Sequence, residues 1–252
     1  MSPSLRVASW NILGGRTREG DRVDLDLTLA GLRALDADLV ALQEVDRHLP
    51  RSGGVDQAGR LAAALGMSWR YAPALYGAPD ARGGLRPAAP GEPDPGGAAY
   101  GVALLSRLPL AQVETVALPR AGRDEPRVGL VATAELAGRP LTVAATHLSY
   151  LPGRNVGQLR TLQRHLAGRP APRLLLGDLN MWWSLVLAAS LPGWRPLVRG
   201  ATFPNRPPGR WRPSVQLDHV LRAGGALRRR GARVVAGPAS DHRAVLVELE
   251  LG

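Results

Sequence analysis

Six apolar runs in the sequence end on, or contain, a side chain able to bind a metal, move a proton or donate to phosphate. Asn11 closes the run from Val7, Glu44 the run from Leu39, and His147 the run from Thr142. Asp178 and Asn180 close Leu174–Asn180, Asp218 lies within Val215–Leu221, and Asp241 and His242 precede the last apolar run. One Asn or Glu at a strand end serves as a turn former or a solvated cap. Six such ends in one chain, all carrying metal- or phosphate-friendly groups, mark a candidate site. Alternation along a strand puts Asp178 and Asn180 on one face and sends Asp218 and His219 to opposite faces, so at most one of that pair serves a common site. His219 is expected to pack as a satisfied core histidine. His48 is placed at the surface or the cleft mouth, and His165 on a solvent-facing helix side.

The elements that must position these groups follow from periodicity. Strands are expected at Leu5–Ile12, Leu39–Val45, Ser68–Ala72, Tyr100–Ser106, Ala111–Ala117, Val128–Leu136, Leu141–Leu148 and Arg173–Leu179. Three more fall at Gln216–Arg222, around Arg233–Val235, and at Ala244–Leu251. Helices fit Leu25–Leu35, Gln57–Leu65, Asn155–Leu166 and about Trp182–Leu191. Gly77–Gly97, dense in Gly and Pro, reads as a long loop. Hairpins interspersed with helices suggest two mixed sheets packed face to face with helices outside, in a single domain over residues 1–252. Trp182 and Trp183, with Leu185, Val186 and Leu187, are assigned to core in preference to an apolar rim for lipid.

All 32 basic residues are arginine, and the formal net charge is +11. Composition drift toward arginine explains most of that excess without a partner. From Arg195 to Arg233, however, ten arginines face one acid, Asp218, which marks that stretch as the place to hold a phosphate-bearing ligand. The chain has no cysteine, which excludes disulfides, thiolate metal sites and a cysteine nucleophile. No apolar run approaches the roughly 18 residues that span a bilayer, and Met1–Val7 lacks the apolar core of a secretory signal, so a cytoplasmic enzyme without stable membrane insertion is expected. No protein partner is inferred.

The strings Ser9-Trp-Asn-Ile12, Leu42-Gln-Glu-Val-Asp46, Gly101-Val-Ala-Leu-Leu-Ser-Arg107, Thr146-His-Leu148, Gly177-Asp-Leu-Asn180, Gln216-Leu-Asp-His-Val220 and Ser240-Asp-His242 occur in that order. The ordered set resembles the endonuclease/exonuclease/phosphatase superfamily across essentially the whole chain. The resemblance implies an α/β (α+β) fold, a four-layer αββα sandwich of two mixed β-sheets flanked by helices, deoxyribonuclease-like. It also implies a metal-dependent phosphoric ester hydrolase using Mg²⁺, with Mn²⁺ as substitute. Carried over residue by residue, Glu44, Asn11 and Asp241 would hold the metal. Asp178 would be the general base and Asn180 would hold a phosphate oxygen or the metal shell. His147 would contact the same phosphate, and Asp241 would orient His242 as donor to the phosphoryl oxygens. Asp218 would bind a second metal or position the leaving group.

The pattern lacks the lysine and tyrosine of exonuclease III-like enzymes. It also lacks the glutamate that pancreatic deoxyribonuclease-like enzymes pair with the equivalent of His147. It is closer to the group that includes tyrosyl-DNA phosphodiesterases, deadenylases and sphingomyelinases. The loop before Asp218 carries Arg206, Arg210, Trp211 and Arg212, and arginines interleaved with aromatics grip phosphates and stack bases. A nuclease acting on DNA or RNA is therefore expected. The alternative is a phosphatase or phosphodiesterase of lipid head groups, sphingomyelinase- or inositol-phosphate-like, or of small phosphate esters.

Overall fold

Strands apolar on both faces must be covered on both faces, and here each sheet meets the other on one side and helices on the other. The computed structural model describes residues 3–77, 86–89, 91–122, 124–206, 214–225 and 227–252. In chain order the elements are β1 (Ser4–Asn11), α1 (Leu25–Leu35), β2 (Leu39–Arg47), α2 (Gln57–Leu65), β3 (Ser68–Tyr76), β4 (Arg86–Pro87) and β5 (Ala99–Ser106). Next come β6 (Leu110–Ala117), β7 (Val128–Leu136), β8 (Arg139–His147), α3 (Arg154–Ala167), β9 (Arg173–Asp178) and α4 (Trp183–Ala189). The chain ends with β10 (Trp194–Pro196), β11 (Asp218–Ala223), β12 (Leu227–Val235) and β13 (Ala244–Leu251). The short strands β4 and β10 have no counterpart in the sequence-based assignment.

One sheet runs β12-β13-β1-β2-β5-β3-β4 and the other β10-β11-β9-β8-β7-β6. Both are mixed, because β1 and β2 pair in parallel, as do β8 and β9, within otherwise antiparallel ladders. The space between the sheets is filled by Leu5, Val7, Leu39, Leu104, Val143, Leu174, Leu176 and Val220. Ala8, Trp10 and Leu42 turn outward to meet Leu32 of α1 and Leu61 of α2. On the other side Ala144, Leu175 and Leu221 meet Leu159 and Leu162 of α3 and Val186 of α4. The result is the expected αββα sandwich.

This layering delivers the polar groups. Val143 and Ala145 face inward, so His147 does too, and Leu174 and Leu176 set the same parity for Asp178. His147, Asp178 and Asp218 then stand side by side, because β8 pairs His147 with Asp178 and β11 pairs Asp218 with Asp178. Gly177 permits this close parallel pairing: a Cβ there would lie 2.0 Å from the Thr146 carbonyl oxygen.

His219 points the opposite way, fully buried, with Nε2 bonded to Met181 O at 2.8 Å and Nδ1 3.3 Å from Gln216 Nε2. It ties β11 to the segment that follows Asn180. Burial holds its pKa down at about 4, partly opposed by the Met181 carbonyl. As pH falls from 6.5 to about 4, the unfolded chain binds a proton that the folded chain does not. His219 thus withdraws about 3 kcal/mol of stability over that window. Urea titrations at pH 7 and pH 4.5 are expected to show a smaller loss of stability in His219→Gln than in wild type. Equal losses would contradict this account of the buried ring.

Candidate active site

The C-terminal ends of the parallel strands in both sheets meet at one edge of the sandwich. Sheet one brings Asn11 from β1 and Glu44 from β2. Parity alone would misdirect Glu44: Leu42 and Val45 both pack outward, so simple alternation cannot place the two residues between them. A bulge between Leu42 and Val45 resolves this, with Glu44 at φ +54°. That left-handed conformation is strained for a non-glycine residue and lets the carboxylate reach Asn11. Asn180 (φ +50°) and Ser240 (φ +58°) carry the same strain at the same site.

Asp178 is the node. Its Oδ1 accepts the Asn180 backbone N–H at 3.0 Å, and its Oδ2 accepts Asn11 Nδ2 at 3.1 Å. The same Oδ2 lies 3.5 Å from His147 Nε2 and 3.8 Å from His242 Nε2. Asn11 Nδ2 also donates to Glu44 Oε1 at 2.9 Å, joining the two carboxylates across the sheets. Asn180 Nδ2 spans Leu148 O (2.9 Å) and His147 Nε2 (3.2 Å). Around these groups opens a cleft of about 500 Å³ that Glu44, His147, Asp178, Asn180 and His242 line together.

One expected assignment changes. Asp241 does not orient His242. The imidazole Nδ1 bonds Asp218 Oδ2 at 2.8 Å, because Asp218 stands on the inward face beside Asp178 while Asp241 lines a neighbouring cleft. Asn11 turns its amide nitrogen, and not its oxygen, toward the carboxylates. Its Oδ1 accepts the Leu13 N–H at 3.1 Å. The loop bearing His242 is fixed by Ser240, whose Oγ donates to Asn11 O at 2.6 Å and accepts the His242 N–H at 3.0 Å. Thr202 Oγ1 accepts the backbone N–H groups of Leu217 and Asp218 and sets the start of β11.

Sequence reasoning missed Arg127, Tyr100 and Arg51, which line the cleft together with Phe203 of the arginine-rich loop. Arg127 is buried, its Nε has no partner among the described residues, and its Nη1 lies 3.2 Å from Glu125 Oε1. An arginine directly preceding an apolar strand was the available signal. Arg206 lines the neighbouring cleft, whereas Arg210, Trp211 and Arg212 lie outside the described residues. Trp182 is 64% exposed and Leu185 and Leu187 about 40%, so this part of α4 is surface and not core. The helix is too short to bury more than one side. His48 is exposed as expected, but His165 is half-buried against Glu114 at 2.7 Å.

Electrostatics separates the roles. Burial pushes the Asp178 carboxyl up to about 7, although the His242 charge opposes the shift. Burial disfavours the His242 imidazolium, but Asp218 and Asp178 outweigh it and hold its pKa up at about 10. His147 is pushed well below the usual range by burial, then by Arg127 and His242, and is neutral. Burial also raises Glu44, with the Asn11 hydrogen bond opposing and the Asp241 charge adding to the rise.

Glu44 in the main cleft and Asp241 in the neighbouring one are carboxylates that could hold a hard divalent cation. Asp241 Oδ1 is buried without a partner among the described residues, and Glu44 is close enough to feel its charge. Two such carboxylates are stabilised by a cation that both share. Asp178, Asp218 and His242 also present ligand atoms within 4.8 Å of one another, a group that could hold a metal ion.

The profile of the Endonuclease/Exonuclease/phosphatase family matches residues 8–242. Among solved structures the chain is similar to the endonuclease/exonuclease/phosphatase from Beutenbergia cavernae, at 27% identity over 99% of this chain and 72% of that one, TM-score 0.75. It is also similar in fold to the human Nocturnin catalytic domain with bound sulfate (20% identity, 99% and 94% covered, TM-score 0.69). D. rerio TDP2 complexed with single strand DNA product shares the fold too (16% identity, 98% and 99% covered, TM-score 0.69). No match was found among curated proteins.

A base near 7 and an acid near 10 predict that kcat/KM for phosphodiester hydrolysis rises with pH through about 7 and falls toward 10. In Asp218→Asn the imidazolium loses its main partner, and the alkaline fall is expected to move down by about two units or more. A pH–rate profile from pH 5 to 10.5 checks this; an unmoved alkaline limb would contradict it.

Proposed function

Because the chain belongs to the Endonuclease/Exonuclease/phosphatase family, we propose that it is a Mg²⁺-dependent phosphodiesterase acting on DNA or RNA, with residues 1–252 forming one catalytic domain. The observation that carries this reading is the buried carboxylate of Asp178 set beside an Asp218-held imidazolium in a cleft that also contains Arg127. A base, a cationic donor and a buried guanidinium together suit attack of water on an anionic phosphorus centre. The nucleic-acid substrate is supported by the D. rerio TDP2 structure, which holds a single strand DNA product on the same fold.

A cation held by Glu44 and Asp241 would stabilise negative charge on the phosphoryl oxygens. Asp178 takes a proton from the attacking water, while Asn11 and the Asn180 N–H fix the orientation of the carboxylate. His242, its Nδ1 committed to Asp218, turns Nε2 toward the cleft and donates to a phosphoryl oxygen as charge builds. Arg127 adds a second positive charge. The water oxygen bonds to phosphorus, and the ester bond to the leaving group breaks. A second reading, a lipid head-group phosphodiesterase, is favoured by exposed Trp182, Leu185 and Leu187 on the segment that follows Asn180.

A hydrolysis screen with Mg²⁺ across plasmid, single-stranded oligonucleotide, bis-p-nitrophenyl phosphate and sphingomyelin is expected to show nucleic-acid cleavage that chelator abolishes. Asp178→Ala and His242→Ala should each lower kcat by about 100-fold or more. Rapid turnover of sphingomyelin without nucleic-acid cleavage would replace the leading reading by the second. Full activity in both variants would remove the mechanism.

A further inference from the structure

Gln57, the first residue of α2, is fully buried, and both ends of its amide are committed to the segments that follow Asn11 and Glu44. Its Nε2 donates to Gly14 O at 2.6 Å, three residues past Asn11. Its Oε1 accepts the Asp46 backbone N–H at 2.9 Å, two residues past Glu44. Flipping the amide would set oxygen against oxygen and N–H against N–H, so this orientation is fixed.

Both segments are bent where the amide meets them. Leu13 (φ +51°), Gly14 (φ +63°) and Gly15 (φ +75°) are left-handed in succession, and the Leu13 N–H in that turn holds Asn11 Oδ1. Glu44 is left-handed in the bulge on β2. Such conformations persist where their surroundings over-determine them. The turn fits closely on the amide: a Cβ on Gly15 would lie 2.9 Å from Gln57 Nε2. Asp46 passes the restraint onward. Its buried carboxylate accepts Arg51 Nη2 at 2.7 Å and Nε at 2.9 Å. Arg51 is thereby held over the Tyr100 ring, 5.3 Å from its centroid, where both residues line the cleft. The loop between β2 and α2 closes on itself through the His48 N–H and Val55 O at 2.9 Å, which returns Gln57 to the end of β2.

We propose that Gln57 is a positioning residue for the hydrolysis proposed above. Past the ladder bond from the Ile12 N–H to Gln43 O at 3.0 Å, its side chain continues the connection between the two chain segments. One amide thus sets the spacing on which the Asn11–Glu44 hydrogen bond and the aim of Asn11 at Asp178 depend. The inference rests on that reading of the site and adds a residue that touches neither substrate nor cation.

The test compares wild type with Gln57→Met, which keeps the bulk and removes both hydrogen bonds, and with Gln57→Ala. The space vacated by alanine admits water to Gly14 O and Asp46 N, which favours folding where methionine does not. Gln163→Met is the control. Gln163 is equally buried and bonded at both amide ends, to Ser190 Oγ at 3.2 Å and the Leu191 N–H at 2.8 Å, but ties α3 to the segment after α4. kcat and KM for bis-p-nitrophenyl phosphate are measured at saturating Mg²⁺, and the Kd for Mg²⁺ alone by calorimetry. Either Gln57 variant, once shown to be folded by circular dichroism, is expected to lose about tenfold or more in kcat with KM within about twofold, and to bind Mg²⁺ about tenfold more weakly. Gln163→Met is expected to melt at a lower temperature with kcat and Kd unchanged. A loss in kcat or Mg²⁺ affinity that the control does not show supports the proposal. Gln57 variants that are less stable but unaltered in both overturn it. If wild type hydrolyses neither the small ester nor nucleic acid, the functional reading fails separately, and the Mg²⁺ Kd then decides on Gln57.

Discussion

A carboxylate buried between two sheets must be neutralised, or held ionised by neighbours whose own desolvation is offset, and the site is organised around that demand. Asp178 meets it by drawing partners from both sheets. Asn11 comes from β1, His147 from the adjacent parallel strand, and His242 from the loop before β13, itself restrained by Asp218. The balance leaves a carboxyl near neutrality and an imidazolium persisting to about 10, which is the separation that acid–base work on a phosphate ester uses.

The sandwich supplies the frame at little expense in special structure. Parallel pairs β1/β2 and β8/β9 end at the same edge, so inward-facing parity carries apolar packing along each strand and polar groups at its end. Where parity fails, backbone strain corrects it. Glu44, Asn180 and Ser240 adopt left-handed conformations, and their hydrogen-bonded surroundings hold them there. Left-handed non-glycine residues occur elsewhere too, as at Asp36, Gln112 and Ala137, whereas those at Glu44, Asn180 and Ser240 shape the site.

Much of this was legible in the sequence. Helices Leu25–Leu35 and Gln57–Leu65 carry clean 3.6-residue periodicity, and alternation alone separates Asp218 from the packed His219. The partner of His242 was not legible, because Asp241 is adjacent in sequence while Asp218 arrives through strand register. Nor was Arg127, a single arginine among many, brought in by tertiary packing. The charge count misled more. Arg222 lies four residues along β11 from Asp218, about 13 Å away at strand rise. Arg228, Arg229, Arg230 and Arg233 sit on β12, the sheet edge, where Arg230 and Arg233 pair with Glu250 and Glu248. Charges on an edge strand discourage pairing with another chain. Of the described arginines in that stretch, Arg206 lines a cleft next to the site. The exposed side of α4 was equally hidden, since an uncharged run reads as core until the shortness of the helix is known.

The central claim is that His242 is a buried imidazolium kept charged by Asp218. Long-range ¹H–¹⁵N spectra of the full chain, following the two His242 ring nitrogens from pH 6 to 10.5, test it directly. The account predicts a doubly protonated ring up to about pH 10, and loss of the second ring proton about two units or more lower when Asp218 is replaced by Asn. A neutral His242 in the wild-type protein at pH 7.5 would contradict it.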